Sequence, residues 1–586
     1  MWGGNRRRLA LIGLSLPAAG LVLAGGWSAH LGLSVRDHLE AAKNAFLLLE
    51  SEDPRQLAGP LAEARRHAAE ARRLTGGPGW WLIAHAPFVG DAATTTQGLA
   101  EAADELSDVL GGVYRRAAPF LTANALSMSN MRQLLDGLDA AAPVLDDGAA
   151  RLATASSRLA ATPADTGVDL LDQARGTALR EMDRLHDRLG AAADAAVLLP
   201  PMLGHDGPRR YFLAFQTNAE ARGTGGLVGA YGVLRADHGR LGIQRLSAEN
   251  GLASPTPVVD HGAAYRARYG PSATSLLSVS NLSPHFPYAA ATWAGLWERR
   301  YGHKLDGVVA TDPVGLSHLL ELIGPVTLPD GETVTAGNVV DLTERTAYAR
   351  YPNTAERKRF LITVAGAVSE AISRSLAEPA RLLPVLSRLV DERRIQIWSR
   401  DPAEEQRLAA TPLGGALPRQ PGPFAGLVVN NSAGGKLDYY LRRSLTYSLD
   451  ACRDDGLRAT TVRVRLDNDV PRGALPSYVT GRLDSPQGHH ALGSNLLWVS
   501  LYATPGARLS GVRLDGHKSA VIIEAERSHP VYSTLLEFAP RQTRTLEFRL
   551  VEPVTAEPPV APVQPLVRPQ RTRITENHHG CPAPPS

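Results

Sequence analysis

The sequence predicts a protein of mixed class, with an α-helical bundle, then a layered α/β domain, then an all-β domain. Three patterns support this prediction: heptad-spaced leucine and alanine, strands that alternate with helices, and a final stretch of strand-like alternation. A chain of 586 residues is long enough for several domains. The predicted boundaries are 1–33 for a cytoplasmic flank and transmembrane anchor, 34–200 for the bundle, 207–412 for the α/β domain, 424–551 for a β-sandwich and 552–586 for a proline-rich tail.

The N-terminus predicts export. Arg6, Arg7 and Arg8 precede an apolar run from Leu9 to Gly26, and a basic flank followed by about 18–25 apolar residues is typical of a membrane-spanning helix. A cleaved signal peptide is the alternative, but the run is long for a signal core. We therefore expect a single-pass protein of the cell membrane, with the bilayer as a partner and most of the chain extracytoplasmic.

Net charge and cysteine content indicate which partners and which cysteine chemistry to expect. The formal net charge is +3, which gives no reason to expect nucleic-acid binding. Two cysteines occur, Cys452 and Cys581, and both lie in the part predicted to be exported. In that compartment a disulfide is favoured over a metal site or a redox motif.

The bundle is predicted from narrow apolar seams. One seam comprises Leu57, Leu61, Ala64, Ala68 and Ala71. Such seams favour long, closely packed antiparallel helices. Breaks are expected at Gly76–Gly79, near Pro119 and near Pro163. The aromatic segment Trp80–Val89 is expected to pack against the bundle end, with contact to the membrane interface as the alternative.

The α/β domain is organised around the stretch Arg210–Arg235. Tyr211–Thr217 and Leu227–Arg235 are predicted strands. Between them lie Asn218, Glu220, Arg222, Gly223, Gly225 and Gly226. Polar side chains beside a glycine turn are typical either of a ligand site or of a solvated hairpin turn, and the sequence leaves both open.

Further charged residues occur in the same domain. Asp312 ends a predicted strand, Leu305–Asp312, and Pro313 suits the first turn of the next helix. A later loop and helix start carry Arg350, Arg357 and Arg359. Arginines bind phosphate oxygens with paired hydrogen bonds, and carboxylates bind Mg²⁺. A pyrophosphate site is therefore one interpretation, and a set of surface salt bridges is the other.

The usual catalytic signatures do not occur in the sequence: there is no GxSxG, HExxH, CxxC or P-loop. The glycines around Gly225 do not match a dinucleotide loop, because the third glycine is misplaced. The pairs His489-His490 and His578-His579 lack acidic or cysteine partners at ligand spacing, so surface histidines are favoured.

The C-terminal third alternates strictly. Apolar residues occupy every second position at Leu445, Tyr447, Leu449, then Val462, Val464, Leu466, then Leu546, Phe548 and Leu550. This pattern predicts a β-sandwich of immunoglobulin-like character. The tail after Glu552 is expected to be extended, and a bond between Cys581 and Cys452 would tie it to the sandwich.

Three runs carry a family resemblance: FQTNAEARGTGGLVGAYGVL, SNLSPHFPYAA and LDGVVATDPVGLSHLLELIGPVTLPDG. They resemble the domain-of-unknown-function 4012 family of bacterial envelope proteins over most of 207–400. That family supplies no established activity.

The same residues resemble, more distantly, the LytR-CpsA-Psr family of membrane-anchored enzymes. Those enzymes transfer glycopolymers from a polyprenyl-pyrophosphate carrier to the cell wall. The resemblance implies an α/β core of that type, an Mg²⁺ cofactor, and a polyprenyl-pyrophosphate-linked glycan and peptidoglycan as partners. It assigns Glu220, Arg222 and Asp312 to catalysis, Glu220 and Asp312 to the metal, and Asn218, Arg350, Arg357 and Arg359 to the substrate.

Two departures from that family's motifs leave two hypotheses about the function of this protein. Thr224-Gly225-Gly226 stands where the family has an acid, and its S-I-P-R-D strand has no counterpart. The first hypothesis is a phosphotransferase that binds or transfers the glycopolymer, and its site residues should converge on one cleft. The alternative is a non-catalytic envelope scaffold that binds a polymer or a partner with the same fold.

Overall fold

The computed structural model describes residues 26–51, 57–118, 131–248, 251–375, 379–419, 422–473 and 475–581. The chain divides into two compact units, 1–206 and 207–585. Residues 1–25, which make up most of the predicted anchor, lie outside the described residues. Within the ranges given above, no helix combines the length and the apolar character that crossing a membrane requires.

The first unit is helical. Its helices are α1 (Gly26–Ser51), α2 (Ala58–Thr75), α3 (Pro78–Ala84), α4 (Gly90–Ala117), α5 (Met131–Ala160) and α6 (Asp169–Met202). Ala64, Ala68 and Ala71, from the predicted seam, are fully buried. Small side chains at these positions let neighbouring helices approach closely. The predicted break at Gly76–Gly79 separates α2 from α3, and Pro78 occupies the first turn of α3.

The aromatic segment divides between the core and the surface. Trp80 is fully buried, and its indole N–H donates to the carbonyl of Ala93 at 3.1 Å. Trp81 and Leu82 are about 60 % exposed, and Phe88 is fully exposed. The expected packing against the bundle therefore holds for Trp80, while its neighbours present an apolar surface.

The second unit begins with an α/β part. Its elements are β1 (Arg209–Arg222), β2 (Gly225–Asp237), β3 (Arg240–Ser247), α7 (Ala263–Tyr269), α8 (Phe286–Tyr301), β4 (Gly307–Thr311), α9 (Pro313–Ile323), β5 (Val326–Thr327), β6 (Thr333–Val334), α10 (Val339–Asp341), α11 (Ala347–Arg350), α12 (Thr354–Ser375), α13 (Pro379–Asp391), β7 (Ile395–Ser399) and α14 (Pro402–Ala410). Five strands form one sheet in the order β3-β2-β1-β4-β7, in which β1 and β4 are parallel and the other neighbours antiparallel. On one face, α8 buries Trp293 and Trp297 against Phe212 of β1.

Strand β1 is longer than predicted. The sequence predicts its end at Thr217, but pairing resumes after an irregularity, with Ala221 opposite Gly226 and Arg222 opposite Gly225. Such a bulge lets the strand bend and continue. Asn218, Glu220 and Arg222 therefore belong to the strand rather than to a solvated turn.

The unit continues with a two-sheet part. Its elements are β8 (Ala425–Asn431), β9 (Leu441–Cys452), β10 (Leu457–Asn468), α15 (Ser477–Thr480), β11 (Asn495–Ala503), β12 (Arg508–Leu514), β13 (His517–Lys518), β14 (Ile522–Glu526), β15 (His529–Phe538), β16 (Thr543–Pro553) and β17 (Gln570–Glu576). The sheet orders are β13-β12-β16-β10-β9-β17 and β14-β15-β11-β8. The predicted alternating residues of β9, β10 and β16 all lie in one shared core. An immunoglobulin-like topology stays a prediction.

The tail is part of this body. Strand β17 runs parallel to β9, with Gln570 opposite Arg443. The predicted disulfide is confirmed: Cys452 and Cys581 are bonded, with their Cα atoms 4.8 Å apart. The bond closes the chain over 129 residues.

Candidate functional site

The polar end of β1 is closely packed. Asn218 is fully buried, and Glu220 and Arg222 are each 6 % exposed. A Cβ added at Gly226 would lie 2.2 Å from the carbonyl oxygen of Thr217, and one at Gly223 would lie 2.3 Å from that of Leu282. Glycine is therefore required at both positions because backbone segments meet there.

Glu220 lies between two cations. One carboxylate oxygen accepts a hydrogen bond from Nη2 of Arg222 at 2.6 Å, and the other accepts from Nζ of Lys436. Burial opposes ionisation of Glu220, but Lys436 and Arg222 outweigh it and hold the pKa of this carboxyl below its usual value. The carboxylate is therefore charged, and its charge is compensated by protein cations.

Arg222 and Asp438 extend this contact into the β-sandwich. Arg222 donates to the carbonyls of Ala221 at 2.9 Å and Asn431 at 3.4 Å. Asp438 accepts from the backbone N–H of Ala221 at 2.8 Å and from the side-chain amide of Asn495 at 2.7 Å. Burial raises the pKa of Asp438. Strand β1 is thus joined to the sandwich by buried charged hydrogen bonds.

The C-terminal tail also contacts the polar end of β1. Gln564 donates its amide to the carbonyl of Arg222 at 2.6 Å and to that of Val429 at 2.8 Å. The side-chain amide of Asn218 donates to the carbonyl of Pro565 at 3.0 Å. Asn218, a predicted substrate ligand, therefore binds the protein's own tail.

Asp312 caps a helix. One of its oxygens accepts from the N–H of Gly315 in the first turn of α9, and the other accepts from Nη1 of Arg394, both at 2.8 Å. Arg394 also donates to the carbonyl of Leu566 in the tail at 2.9 Å. The carboxylates of Glu220 and Asp312 are thus held by different cations.

The three remaining arginines differ in burial. Arg357 is 2 % exposed and stacks over the ring of Tyr478, 3.8 Å from its centroid; Lys436 lies 5.7 Å from the same ring. Arg350 is exposed and forms a two-fold ion pair with Glu332 at 2.6 and 2.9 Å. Arg359 is exposed. The structure therefore brings Arg357 close to the Glu220 pair through Lys436 and Tyr478, whereas Arg350 pairs elsewhere.

The predicted Mg²⁺ site needs open carboxylate oxygens. The described part of the chain contains no cluster of three histidine, cysteine, aspartate or glutamate side chains suited to a metal. Glu220 and Asp312 are each bonded to protein cations, which occupy the positions that a metal would need. The donor set does not fit Mg²⁺, and we assign the ion no role.

Glu344 lies beside the predicted site but was not predicted. It is 2 % exposed, and one oxygen accepts from the N–H of Ala219 at 2.7 Å and from the hydroxyl of Thr217 at 2.8 Å. Burial raises the pKa of Glu344 to about 7, although these two donors oppose the shift. It belongs to a π-helical turn, Leu342–Thr346, a geometry that no local sequence signal marks.

A second buried junction joins α7 to the sandwich. Arg268 lies over the ring of Trp498, 4.6 Å from its centroid, and donates to Oγ of Ser500 at 2.9 Å. Glu526 accepts from the hydroxyls of Tyr269 and Tyr502, both at 2.6 Å. The α/β part and the sandwich are thus fastened at two buried sites.

The fold and its junctions define an α/β domain locked to a β-sandwich by buried ion pairs. Residues 206–348 match the model of the family described as protein of unknown function, DUF4012. This match confirms the predicted resemblance to that family over the matched range, which contains β1, Asp312 and Glu344. The resemblance to the LytR-CpsA-Psr family is not shown. Comparisons with curated proteins and with solved structures found no match.

Proposed function

We propose that this protein is a non-catalytic, membrane-anchored scaffold of the cell envelope, which binds a polymer or a partner outside the membrane. The observation that carries the proposal is the position of Glu220, buried between Arg222 and Lys436. A transferase of the predicted type needs this carboxylate for a metal and Arg222 for a pyrophosphate. Here both groups bind each other and residues of the sandwich, and so connect strand β1 to the sandwich.

Burial strengthens this argument. A charge withdrawn from water is stable only if it is paired and hydrogen-bonded. Arg222 donates to Glu220 and to backbone carbonyls, so a pyrophosphate would have to replace bonds that already compensate the guanidinium. This hydrogen-bond network therefore supports a structural role for Glu220 and Arg222, in a protein that binds its partner with a rigid surface.

Two features support a position at the outer face of a membrane. The disulfide between Cys452 and Cys581 suits an oxidising compartment. The exposed Trp81, Leu82 and Phe88 form an apolar surface of the kind that inserts among lipid headgroups.

That apolar surface lies at the end of the helical unit where α1 begins, which agrees with a transmembrane anchor before α1. Helices α1 and α2 are antiparallel, because His38 and His67 meet with their Nδ1 atoms 2.9 Å apart while α1 ends at Ser51 and α2 begins at Ala58. The end of α2, followed by α3, therefore lies at the end of the unit where α1 begins. The predicted apolar run precedes α1 directly in the sequence.

Glycopolymer transfer stays a prediction, and one assay separates the two hypotheses. Purified full-length protein is incubated with a polyprenyl-pyrophosphate-linked glycan and Mg²⁺, and released polyprenyl phosphate is measured for the wild type and for Glu220→Gln. We expect no release above the protein-free background from either protein. Release by the wild type that is lost in folded Glu220→Gln would overturn the scaffold proposal.

A further inference from the structure

A cavity of about 560 Å³ opens in the second unit, where the α/β part meets the sandwich and the tail. Its walls are mainly apolar and include Leu417, Phe424, Val428 and Val563. Cavities of about 300–1,000 Å³ with apolar walls and a few polar groups are typical small-molecule sites. No local sequence pattern marks this cavity, because its lining residues come from distant segments of the chain.

One wall of this cavity carries an unpaired cation. Within the described ranges, no carboxylate or other acceptor bonds to the guanidinium of Arg393, and its Nε is buried without a hydrogen bond. Gln396, which is 2 % exposed, also lines the cavity, and its Oε1 likewise has no donor. Burial lowers the pKa of Arg393. A ligand anion would supply the counter-charge that the protein does not give to this half-buried guanidinium.

The backbone at Arg393 is also unusual. Its φ is +55°, in the left-handed region. It is the second residue after the end of α13, where its N–H donates to the carbonyl of Val390 and the N–H of Arg394 donates to that of Leu389, at 2.9 and 2.7 Å. Glycine is the favoured residue at such a helix end. An arginine is less favourable than glycine at this position, so that Arg393→Gly should fit the backbone.

The lining residues carry one positive charge, that of Arg393, and one negative charge, that of Asp391, and further guanidinium groups lie near the neighbouring His285. The buried His285 accepts from the N–H of Leu417 at 3.0 Å; burial, and then Arg527 and other nearby guanidinium groups, Arg393 among them, lower its pKa to about 2. The imidazole is therefore neutral. Asp391 also lines the cavity, but it is exposed and forms no ion pair with Arg393 among the described contacts.

We propose that this cavity binds an amphiphilic anion, with a phosphate or carboxylate group at Arg393 and a short apolar chain against Leu417, Phe424 and Val428. The guanidinium would donate two hydrogen bonds to the anion, and Gln396 would accept from a hydroxyl or amide of the ligand. The proposal does not depend on the scaffold function, because the cavity lining does not include Glu220, Arg222 or Lys436.

The test is calorimetric titration of the full-length protein, held in amphipol, with butyl phosphate as the probe. Inorganic phosphate and butanol serve as the head group alone and the chain alone. Arg393→Gly removes the guanidinium while glycine suits the left-handed backbone, so the midpoint of thermal unfolding should not fall. Arg541→Gly is the matched control: Arg541 also has a positive φ, of +65°, and lies beyond Phe538, at the opposite end of the β11–β15 pair from Tyr502.

We expect wild-type protein and Arg541→Gly to bind butyl phosphate with affinities within about twofold. Arg393→Gly should weaken binding at least about tenfold, since a charged hydrogen bond is lost. Inorganic phosphate and butanol should each bind at least about tenfold more weakly than butyl phosphate. Unchanged affinity in Arg393→Gly, equal affinity for inorganic phosphate, or no binding to the wild type would overturn the proposal. Should Arg393→Gly fail to fold, Arg393→Asn gives the same comparison, because asparagine tolerates a positive φ.

Discussion

Lys436 donates a hydrogen bond to the carboxylate of Glu220, although 216 residues separate them in the sequence. Both side chains are buried, and Arg222 binds the other carboxylate oxygen. This contact joins the α/β part to the sandwich and determines what the polar end of β1 can do. The residues that look like a catalytic motif in the sequence are bonded to one another and to the second half of the body.

Glu220→Gln should destabilise the protein by about 3–5 kcal/mol, because it leaves Arg222 and Lys436 buried without their counter-charge. The matched control is Glu332→Gln, which breaks the exposed pair with Arg350 and should cost less than about 1 kcal/mol. Urea unfolding followed by tryptophan fluorescence measures both. Equal midpoints for the two variants would show that the buried ion pairs of Glu220 contribute no more to stability than the exposed pair does.

The features that the sequence predicts correctly are those whose signal lies in nearby residues or in composition. The alternation in β9, β10 and β16 is a property of neighbouring residues, and it identified the buried positions of the sandwich. The disulfide followed from two cysteines in a chain predicted to be exported. Pro313 after Asp312 likewise marked the start of α9.

The contacts that define the junction are not local. Nothing near Glu220 in the sequence indicates that Lys436 will bind it, or that Gln564 of the tail will bind Arg222. The pattern of Asn218, Glu220 and Arg222 therefore looks like an open polar site. The cavity at Arg393 has no sequence signal for the same reason, since the α/β part, the sandwich and the tail all supply its walls.

Glu344 should make stability depend on pH. Its pKa is raised from 4.5 to about 7 by burial, so between these values the unfolded chain loses a proton that the folded protein retains. Its contribution to stability is therefore full below pH 4.5 and is lost as the pH rises through 7, by on the order of 3 kcal/mol. Glu344→Gln cannot ionise and should lack this decline.

Urea unfolding at several pH values between 4 and 8 tests this expectation. The free energy of unfolding of Glu344→Gln, relative to wild type, should rise with pH across that window. Glu356→Gln, at an exposed position, should follow the wild-type curve. Parallel curves for wild type and Glu344→Gln would contradict the prediction.

The disulfide should hold the tail on the sandwich. Replacing Cys452 and Cys581 with serine opens a loop of 129 residues, which the chain-entropy model values at about 4–5 kcal/mol. Strand β17 should then detach more often from β9, and limited proteolysis should cut the tail after Glu552 faster than in the oxidised wild type. Identical cleavage rates would show that the strand pairing alone fixes the tail.

Trp81 should contact lipid. In full-length protein reconstituted with brominated lipids, Trp81→Phe should reduce the quenchable fraction of tryptophan fluorescence, because Trp81 is 59 % exposed beside Leu82. The neighbouring Trp80→Phe is the control, since Trp80 is fully buried in the helical unit. An equal reduction in both variants, or none in either, would remove the support for a membrane-facing surface.

The most direct test of the central claim is a double-mutant cycle between Glu220 and Lys436, with Glu220→Gln, Lys436→Met and the double variant compared by urea unfolding. If the pair joins the two parts, the double variant should be more stable than the sum of the single effects predicts, with a coupling free energy of at least about 1.5 kcal/mol. Effects that add to within about 0.5 kcal/mol would contradict the account and leave Glu220 available for another role.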